Sequence, residues 1–209
     1  DHFPVTEETV AGLMGEGGSL AAAMDAGRVY LLDHGIVEGV PTKKGTTLPA
    51  ALSLFHVDGE GRLMPLAIQL GQTPDAGPVF TPRDPPWLWL TVKMFVQCAD
   101  AAYHEAASHL LRTHLITEPF VIATARHLSD CHPLSALLAP HFEHTIAINY
   151  AARTQLLVPG GPIDMTMAAA FAGTVEIVKR AWAEWRFDDH HLPRSLAARG
   201  VNDVEALPG

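Results

Sequence analysis

The chain has 209 residues, 48% of them hydrophobic and 18% charged, and a formal net charge of −9. This composition excludes a disordered chain, and the lack of any Lys/Arg run excludes a nucleic-acid-binding surface. No apolar run approaches the ~18 residues of a membrane span, and the N-terminal segment has no signal-peptide pattern, which leaves the location open between the cytoplasm and export.

The first 86 residues predict a mixture of strands, loops and short helices. Thr6-Glu-Glu-Thr9 is a plausible helix start. Short apolar runs bounded by Gly and Pro predict strands at 28–33, 51–56 and 63–70. A hairpin turn at Asp58-Gly-Glu-Gly61 fits between the second and third strands. Residues 71–86 contain five prolines and predict an irregular loop.

From Trp87 onward the sequence predicts a helical body, with prolines at several boundaries. The expected helices are 87–117, 119–129, 134–139, 141–158, 166–186 and a short one near 193–198. A small antiparallel β-rich entry region, 1–86, followed by a helical body, 87–209, predicts a mainly α fold.

Three histidines, His104, His109 and His114, recur at intervals of five within the first long helix. Histidine is the commonest metal ligand at neutral pH. Residues five apart on an α-helix lie about 140° apart around the axis, so a regular helix cannot direct both rings at one ion. A π-helical segment brings such residues to one side, and it occurs mostly at functional sites. The spacing indicates a π-helical metal site or an accident, and it does not choose between the pairs His104–His109 and His109–His114.

The sequence around these histidines resembles the iron-binding helix of lipoxygenases. The resemblance rests on the segment from Trp87 to Phe120. It extends to segments on both sides: 63–70, 80–82, 122–133, 137–141, 148–153 and, more weakly, 156–201. It implies that residues 1–209 form one segment, the central part of a lipoxygenase catalytic domain, and that the catalytic domain continues beyond both ends of this chain.

The resemblance implies one non-haem iron per complete catalytic domain, with His109 and His114 as two of its ligands. His104 is then a neighbour of the metal centre rather than a ligand. By its position after His104, Glu105 is expected either to join a hydrogen-bond network near the metal or to lie on a solvated helix face. The family's further ligands are another histidine, an asparagine or similar residue, and the carboxylate of a terminal isoleucine. None of these is found here, so the chain alone is expected to bind iron poorly and to be inactive.

The resemblance also implies a polyunsaturated fatty acid or lipid as substrate, together with O₂. Hydrogen abstraction from a bis-allylic carbon and insertion of O₂ then give a lipid hydroperoxide. Five residues are candidates for the substrate channel: Ala152, Leu156, Ile163, Met167 and Ala101. Alanine at position 152 accompanies S-configured products in the family and glycine R-configured ones, because the alanine methyl group blocks O₂ from one carbon.

Two other functions compete with this interpretation. One is a zinc hydrolase that uses His109 and His114, although the sequence lacks the general-base pattern of H-E-x-x-H enzymes. The other is a non-catalytic helical domain that binds a lipid. We also expect a complementary polypeptide, most simply the remainder of the same enzyme, to cover apolar surface and supply the missing ligands.

Six other residues are expected to be buried. Cys98 and Cys131 form no metal motif and predict two buried free thiols. Four histidines outside the triplet are expected to be buried hydrogen-bonding groups rather than ligands: His127, His132, His141 and His144. Arg153 is expected to pair with a buried carboxylate or carbonyl group.

Overall fold

The computed structural model of the chain describes residues 2–15 and 17–202. These residues form two compact units. The first comprises Leu48–Asp100 with the described parts of 1–39 and 184–209, and the second comprises Val40–Thr47 and Ala101–Ala183. Within the described ranges, no helix is both long enough and apolar enough to cross a membrane.

The first unit contains a four-stranded antiparallel sheet in the order β1-β2-β3-β4. The strands are β1 (Val29–Asp33), β2 (Leu52–Val57), β3 (Leu63–Gln69) and β4 (Val79–Phe80). The hairpin between β2 and β3 is stabilised by the Asp58 carboxylate, which accepts the backbone N–H groups of Glu60 and Arg62, each at 2.9 Å. The three predicted strands and this turn are confirmed.

Helices complete the first unit. They are α1 (Glu7–Val10), α2 (Leu20–Asp25) and residues 86–100 of α3 (Pro86–Tyr103), with α9 (Leu192–Ala198) and 3₁₀ turns at Gly35–Val37 and Phe187–His190. One buried cluster joins the sheet to α3 through Ala51, Ile68, Val92 and Val96. The start of α1 is confirmed, because Thr6 and Thr9 form a reciprocal capping box there.

The second unit is built mainly from helices. They are π1 (His104–Leu115), α4 (Thr117–His127), α5 (Pro133–Leu138), a 3₁₀ turn at Ala139–Phe142, α6 (Thr145–Ala151), π2 (Ala152–Leu156), α7 (Pro162–Thr166) and α8 (Phe171–Glu184), whose last residue belongs to the first unit. The segment 40–47 is fixed to these helices. Lys43 Nζ donates to the carbonyl oxygens of Asp164 and Met165, at 2.7 and 2.8 Å, and Thr42 forms a bridge with Ala169.

Three predictions of secondary structure need correction. Strand β4 lies inside the predicted irregular loop, where it pairs with the end of β3. The predicted helix 141–158 is interrupted, because His144 has a left-handed backbone conformation (φ 62°) and α6 begins only after it. The predicted helix 166–186 begins later, at Phe171, and is preceded by the separate helix α7.

None of the six residues predicted to be buried is fully buried. His127, His132, His141 and His144 are all exposed, and among them His132 caps α5 by accepting the backbone N–H of Leu134 at 3.1 Å. Both cysteines are free as expected, but Cys131 is exposed and Cys98 is only half-buried. Polar residues on these helices therefore lie on faces that the described residues leave open.

Candidate metal centre

The three spaced histidines lie on π1, a 12-residue π-helical segment that follows α3 without interruption. The backbone N–H of Ile116 donates to the carbonyl oxygen of Leu111, and the Thr113 hydroxyl donates to that of Ser108, both five residues earlier. The buried residues Ala106, Leu111 and Ile116 have the same spacing of five. The prediction that this helix departs from regular α geometry is confirmed.

The π-helical backbone brings the rings of His109 and His114 together. Their Nε2 atoms are 3.1 Å apart, with the ring planes inclined by 69°. Two nitrogens bound at about 2.1 Å to one ion, at about 90° to each other, would be separated by about 3.0 Å. His104 instead stacks nearly parallel to His109, with ring centroids 6.1 Å apart and an interplanar angle of 12°. The two pairings that the sequence left open therefore have different geometries, and only His109–His114 has converging nitrogens.

Glu105 determines the orientation of the His109 ring. Its Oε1 accepts a hydrogen bond from Nδ1–H of His109 at 3.2 Å, across one helical turn. A carboxylate at Nδ1 favours the tautomer in which Nε2 keeps its lone pair, which is the usual arrangement of a metal-bound histidine. This contact agrees with the network predicted for Glu105.

The His114 ring is held by Asn149, a residue of α6 that is 1% exposed. Asn149 Oδ1 lies 2.9 Å from His114 Nδ1. The Asn149 amide group donates to the carbonyl oxygen of His114 at 3.2 Å and to Glu118 Oε2 at 2.6 Å. Both histidines are therefore fixed at Nδ1 by a separate polar side chain, and their Nε2 atoms face each other.

Glu118 connects this network to Arg153 on π2. Arg153 Nη1 donates to Glu118 Oε2 at 2.8 Å and Nη2 donates to Oε1 at 3.4 Å. These hydrogen bonds from Arg153, followed by the one from Asn149, hold the pKa of the Glu118 carboxyl group below its ordinary value. The predicted pairing of Arg153 with a carboxylate is confirmed, but the Glu118 side chain is half-buried rather than buried. Because that carboxylate stays ionised at neutral pH, it acts only as an acceptor.

Asn149 and Glu118 were absent from the site predicted from the sequence. Two spacings offered a signal, since Glu118 follows His114 by four residues and Arg153 follows Asn149 by four. Residues four apart are neighbours on a helix surface, so this spacing is compatible with each pair sharing a face. Nothing in the sequence indicated that the two faces would meet.

An apolar cavity of about 240 Å³ lies within the second unit. Its walls come from π1, π2, the residue after π2, and α8. The lining residues are mostly apolar and include two basic side chains, Arg153 and Lys179. The others are Leu110, Leu115, Leu157, Phe171, Thr174, Val175 and Val178. Leu110 and Leu115 directly follow the paired histidines in the sequence. The cavity is therefore lined by the same helix that carries the candidate metal ligands.

None of the five predicted substrate residues lines this cavity. Ala152 and Leu156 are the first and last residues of π2, with Ala152 half-buried and Leu156 exposed. Ile163, on α7, and Met167, just after it, are half-buried, whereas Ala101, near the end of α3, is exposed. The second unit contains all five, but only the two on π2 share an element.

In the part of the chain that the structure describes, the candidate metal centre brings together two possible ligands, His109 and His114. Among residues 2–15 and 17–202, no group of three His, Cys, Asp or Glu side chains is placed to hold an ion. A non-haem iron site needs at least three protein ligands on one face of the metal. The His109 side chain is 46% exposed, so the described residues leave part of it uncovered.

A family model described as lipoxygenase matches residues 2–206. The chain belongs to the lipoxygenase family. It is similar to the mouse polyunsaturated fatty acid lipoxygenase ALOX8, with 42% identity over 98% of this chain and 31% of that protein. The human polyunsaturated fatty acid lipoxygenase ALOX15B is 40% identical over 97% of this chain and 31% of its own length. A solved calcium-dependent 11R-lipoxygenase superposes with a TM-score of 0.92 at 34% identity, covering 99% of this chain and 31% of that one.

The chain thus spans about 31% of the length of these lipoxygenases. The mainly α fold with a small antiparallel sheet is that of the corresponding part of a lipoxygenase. Non-haem iron is the usual metal of the family, although a manganese lipoxygenase of Gaeumannomyces graminis is also among the solved structures similar to this chain. The separation of the His109 and His114 Nε2 atoms fits two ligands of such a metal.

Proposed function

We propose that the protein containing this chain is an iron-dependent dioxygenase that converts polyunsaturated fatty acids to lipid hydroperoxides. The observation that carries this proposal is the approach of the His109 and His114 Nε2 atoms to 3.1 Å on a π-helix. The substrate class is the one in the names of the mouse and human relatives.

In this proposal His109 and His114 hold the iron through Nε2. When bound there, iron would supply the one-electron oxidant needed for hydrogen abstraction from a bis-allylic carbon. Glu105 and Asn149 keep the ring protons on Nδ1 and so leave both lone pairs available to the metal. His104 lies beside His109, with the two rings nearly parallel and their centroids 6.1 Å apart.

The substrate channel is proposed to include Ala152, Leu156, Ile163, Met167 and Ala101, as the family resemblance implies. Two observations support an apolar channel beside the metal. Ala152 and Leu156 occupy one π-helical segment, and the apolar cavity is lined by residues that directly follow the paired histidines. The methyl group of Ala152 would direct O₂ to one end of the pentadiene, which favours S-configured products.

The zinc hydrolase alternative is disfavoured by the position of Glu105. A general base must reach a water molecule on the metal. Glu105 instead binds Nδ1 of His109, on the ring edge opposite the nitrogen that would face the ion. A non-catalytic lipid-binding domain would use the apolar cavity without requiring two converging Nε2 atoms.

The remaining iron ligands are proposed to come from a complementary polypeptide, most simply the rest of the same enzyme. Exposed apolar side chains support such a partner: Trp87, Leu90 and Met94 are spaced along one face of α3 and are 70%, 56% and 59% exposed. The 209 residues alone are then expected to be inactive. Intact-mass analysis and a denaturing gel of the purified protein test this, and a single 22.5 kDa species that binds iron and turns over would contradict it.

The function is tested by metal analysis and hydroperoxide assay of the full-length protein. We expect iron in the wild type, formation of conjugated-diene hydroperoxides from a polyunsaturated fatty acid, and loss of both in His114→Ala. His127→Ala is the matched control, because His127 is an exposed histidine on α4. Zinc or no metal in the wild type, or full iron content in His114→Ala, would refute the proposal.

A further inference from the structure

The amide group of Asn149 is held in one orientation by its surroundings. Its nitrogen faces two groups that only accept hydrogen bonds, the carbonyl oxygen of His114 at 3.2 Å and the Glu118 carboxylate at 2.6 Å. Its oxygen faces His114 Nδ1 at 2.9 Å. Because the Asn149 side chain is buried, water cannot substitute for any of these partners.

We propose that Asn149 is a positioning residue that keeps the ring proton of His114 on Nδ1, and that the Glu118–Arg153 pair fixes Asn149 in the orientation this requires. The inference rests on the proposed role of His114 as a metal ligand. It adds three residues of α4, α6 and π2 to that site, each acting through another residue rather than on the metal.

The two orientations of the Asn149 amide group correspond to the two neutral tautomers of His114, with the ring proton on Nδ1 or on Nε2. In the observed orientation Oδ1 accepts the Nδ1 proton, so Nε2 of neutral His114 has a free lone pair directed at His109. If the amide turned over, Oδ1 would meet the Glu118 carboxylate and the His114 carbonyl oxygen, which are both acceptors. Nδ2 would then donate to Nδ1, and the ring proton would move to Nε2, where a metal could not bind.

Arg153 contributes by keeping Glu118 an acceptor. Its guanidinium group contacts both carboxylate oxygens, and the lowered pKa of Glu118 agrees with a carboxylate that stays ionised. A protonated or amide side chain at position 118 could donate a hydrogen bond, and the alternative orientation of Asn149 would then become accessible. The charge of Arg153 therefore acts on His114 through two intermediate side chains.

The two candidate ligands differ in how far along the sequence their supporting residue lies. Glu105 supports His109 from four residues earlier on the same segment, whereas Asn149 supports His114 from 35 residues later. His109 is therefore oriented by local helix geometry alone. His114 is oriented only when α6 packs against π1, so its readiness for the metal depends on this tertiary contact.

The test is anaerobic titration of the metal-free, full-length protein with Fe²⁺. Asn149→Leu keeps the side-chain shape without its polar atoms, and Arg153→Met removes the guanidinium group. Loss of a residue that supports a metal ligand lowers metal affinity by about 10–100-fold. We expect Asn149→Leu to lower the Fe²⁺ affinity within that range, and Arg153→Met to lower it as well. Arg153→Lys should keep most of the wild-type affinity because it keeps the positive charge. The ferric EPR signal should change in the first two variants and return in the third.

Ile177→Val is the matched control for a purely structural effect. Ile177 is a fully buried residue of α8, so the substitution weakens packing in the same unit without touching the network. We expect unchanged Fe²⁺ affinity in this variant. Affinity within twofold of the wild type in both Asn149→Leu and Arg153→Met, or equal weakening in Ile177→Val, would overturn the inference. If the wild type itself binds no iron, or if His114→Ala binds iron normally, the result refutes the proposed function, on which the role of Asn149 rests.

Discussion

Gly173 provides a sharp test of the packing that places α8. This residue is buried in α8, where a Cβ atom would lie 2.1 Å from the carbonyl oxygen of Pro41. The same oxygen accepts the backbone N–H of Ala170 at 3.0 Å. Glycine is therefore required here because the helix and segment 40–47 approach closely. The backbone conformation does not impose this requirement, since the φ of Gly173 is one that any residue adopts.

The expected change in the free energy of unfolding for Gly173→Ala is the sum of two destabilising effects minus one stabilising effect. Overpacking against a backbone atom costs about 1–3 kcal/mol. Displacing Pro41 from Ala170 weakens a hydrogen bond worth about 0.5–1.5 kcal/mol. Alanine recovers about 1 kcal/mol of helix propensity. The net loss is about 0.5–3.5 kcal/mol, which lowers the thermal midpoint by roughly 1–14 °C for a chain of this size.

The assay is thermal unfolding followed by circular dichroism, with Gly59→Ala as the matched control. A Cβ at Gly59 would have no atom within 4 Å, so this variant should keep the wild-type midpoint. Gly173→Ala should also lower activity, because α8 forms one wall of the apolar cavity. If the two variants unfold at the same temperature, the close approach inferred at Gly173 is wrong.

Three further predictions concern the metal centre and its surroundings. In the complete enzyme, Ala152→Gly should shift products toward the R configuration; chiral chromatography showing an unchanged S pattern would remove Ala152 from the mechanism. Glu105→Gln should weaken Fe²⁺ binding by about 10-fold, since a neutral amide supports His109 less strongly than a carboxylate; equal affinity in a metal titration would contradict this. Because the folded-state pKa of Glu118 is lowered, its stabilising contact with Arg153 is present above the ordinary carboxyl pKa and is lost as pH falls through the lowered value. Thermal midpoints between neutral and acidic pH should therefore fall less steeply in Glu118→Gln, and identical pH profiles would refute the assignment.

The elements that the sequence predicted well have strong local signals. Three strands were placed within a residue or two, because apolar runs ended at Gly or Pro. The π-helical segment was predicted because a spacing of five is incompatible with a shared site on a regular helix. Strand β4 was missed because two residues are too short to show a period, and its flanking prolines favoured a loop.

The tertiary part of the site could not be predicted in the same way. The contact between His114 and Asn149 joins residues 35 positions apart, and no local pattern specifies it. Burial was also misjudged for His127 and His141, because a helix sequence shows which residues share a face and does not show which face is covered. The left-handed backbone of His144 had no signal either, since glycine is the residue expected there.

The π-helical segment also limits how this region can change in length. Its histidines and its buried residues both recur every five positions. The face that carries the candidate ligands and the face that packs against neighbours therefore keep a constant angle to each other over 12 residues. Deleting one residue between His109 and His114 would give the i, i+4 spacing of an ordinary helical metal pair. The same deletion would rotate every later residue by about 100°, turning Leu115 and Ile116 away from their present neighbours. Single-residue insertions and deletions should therefore be excluded from this segment.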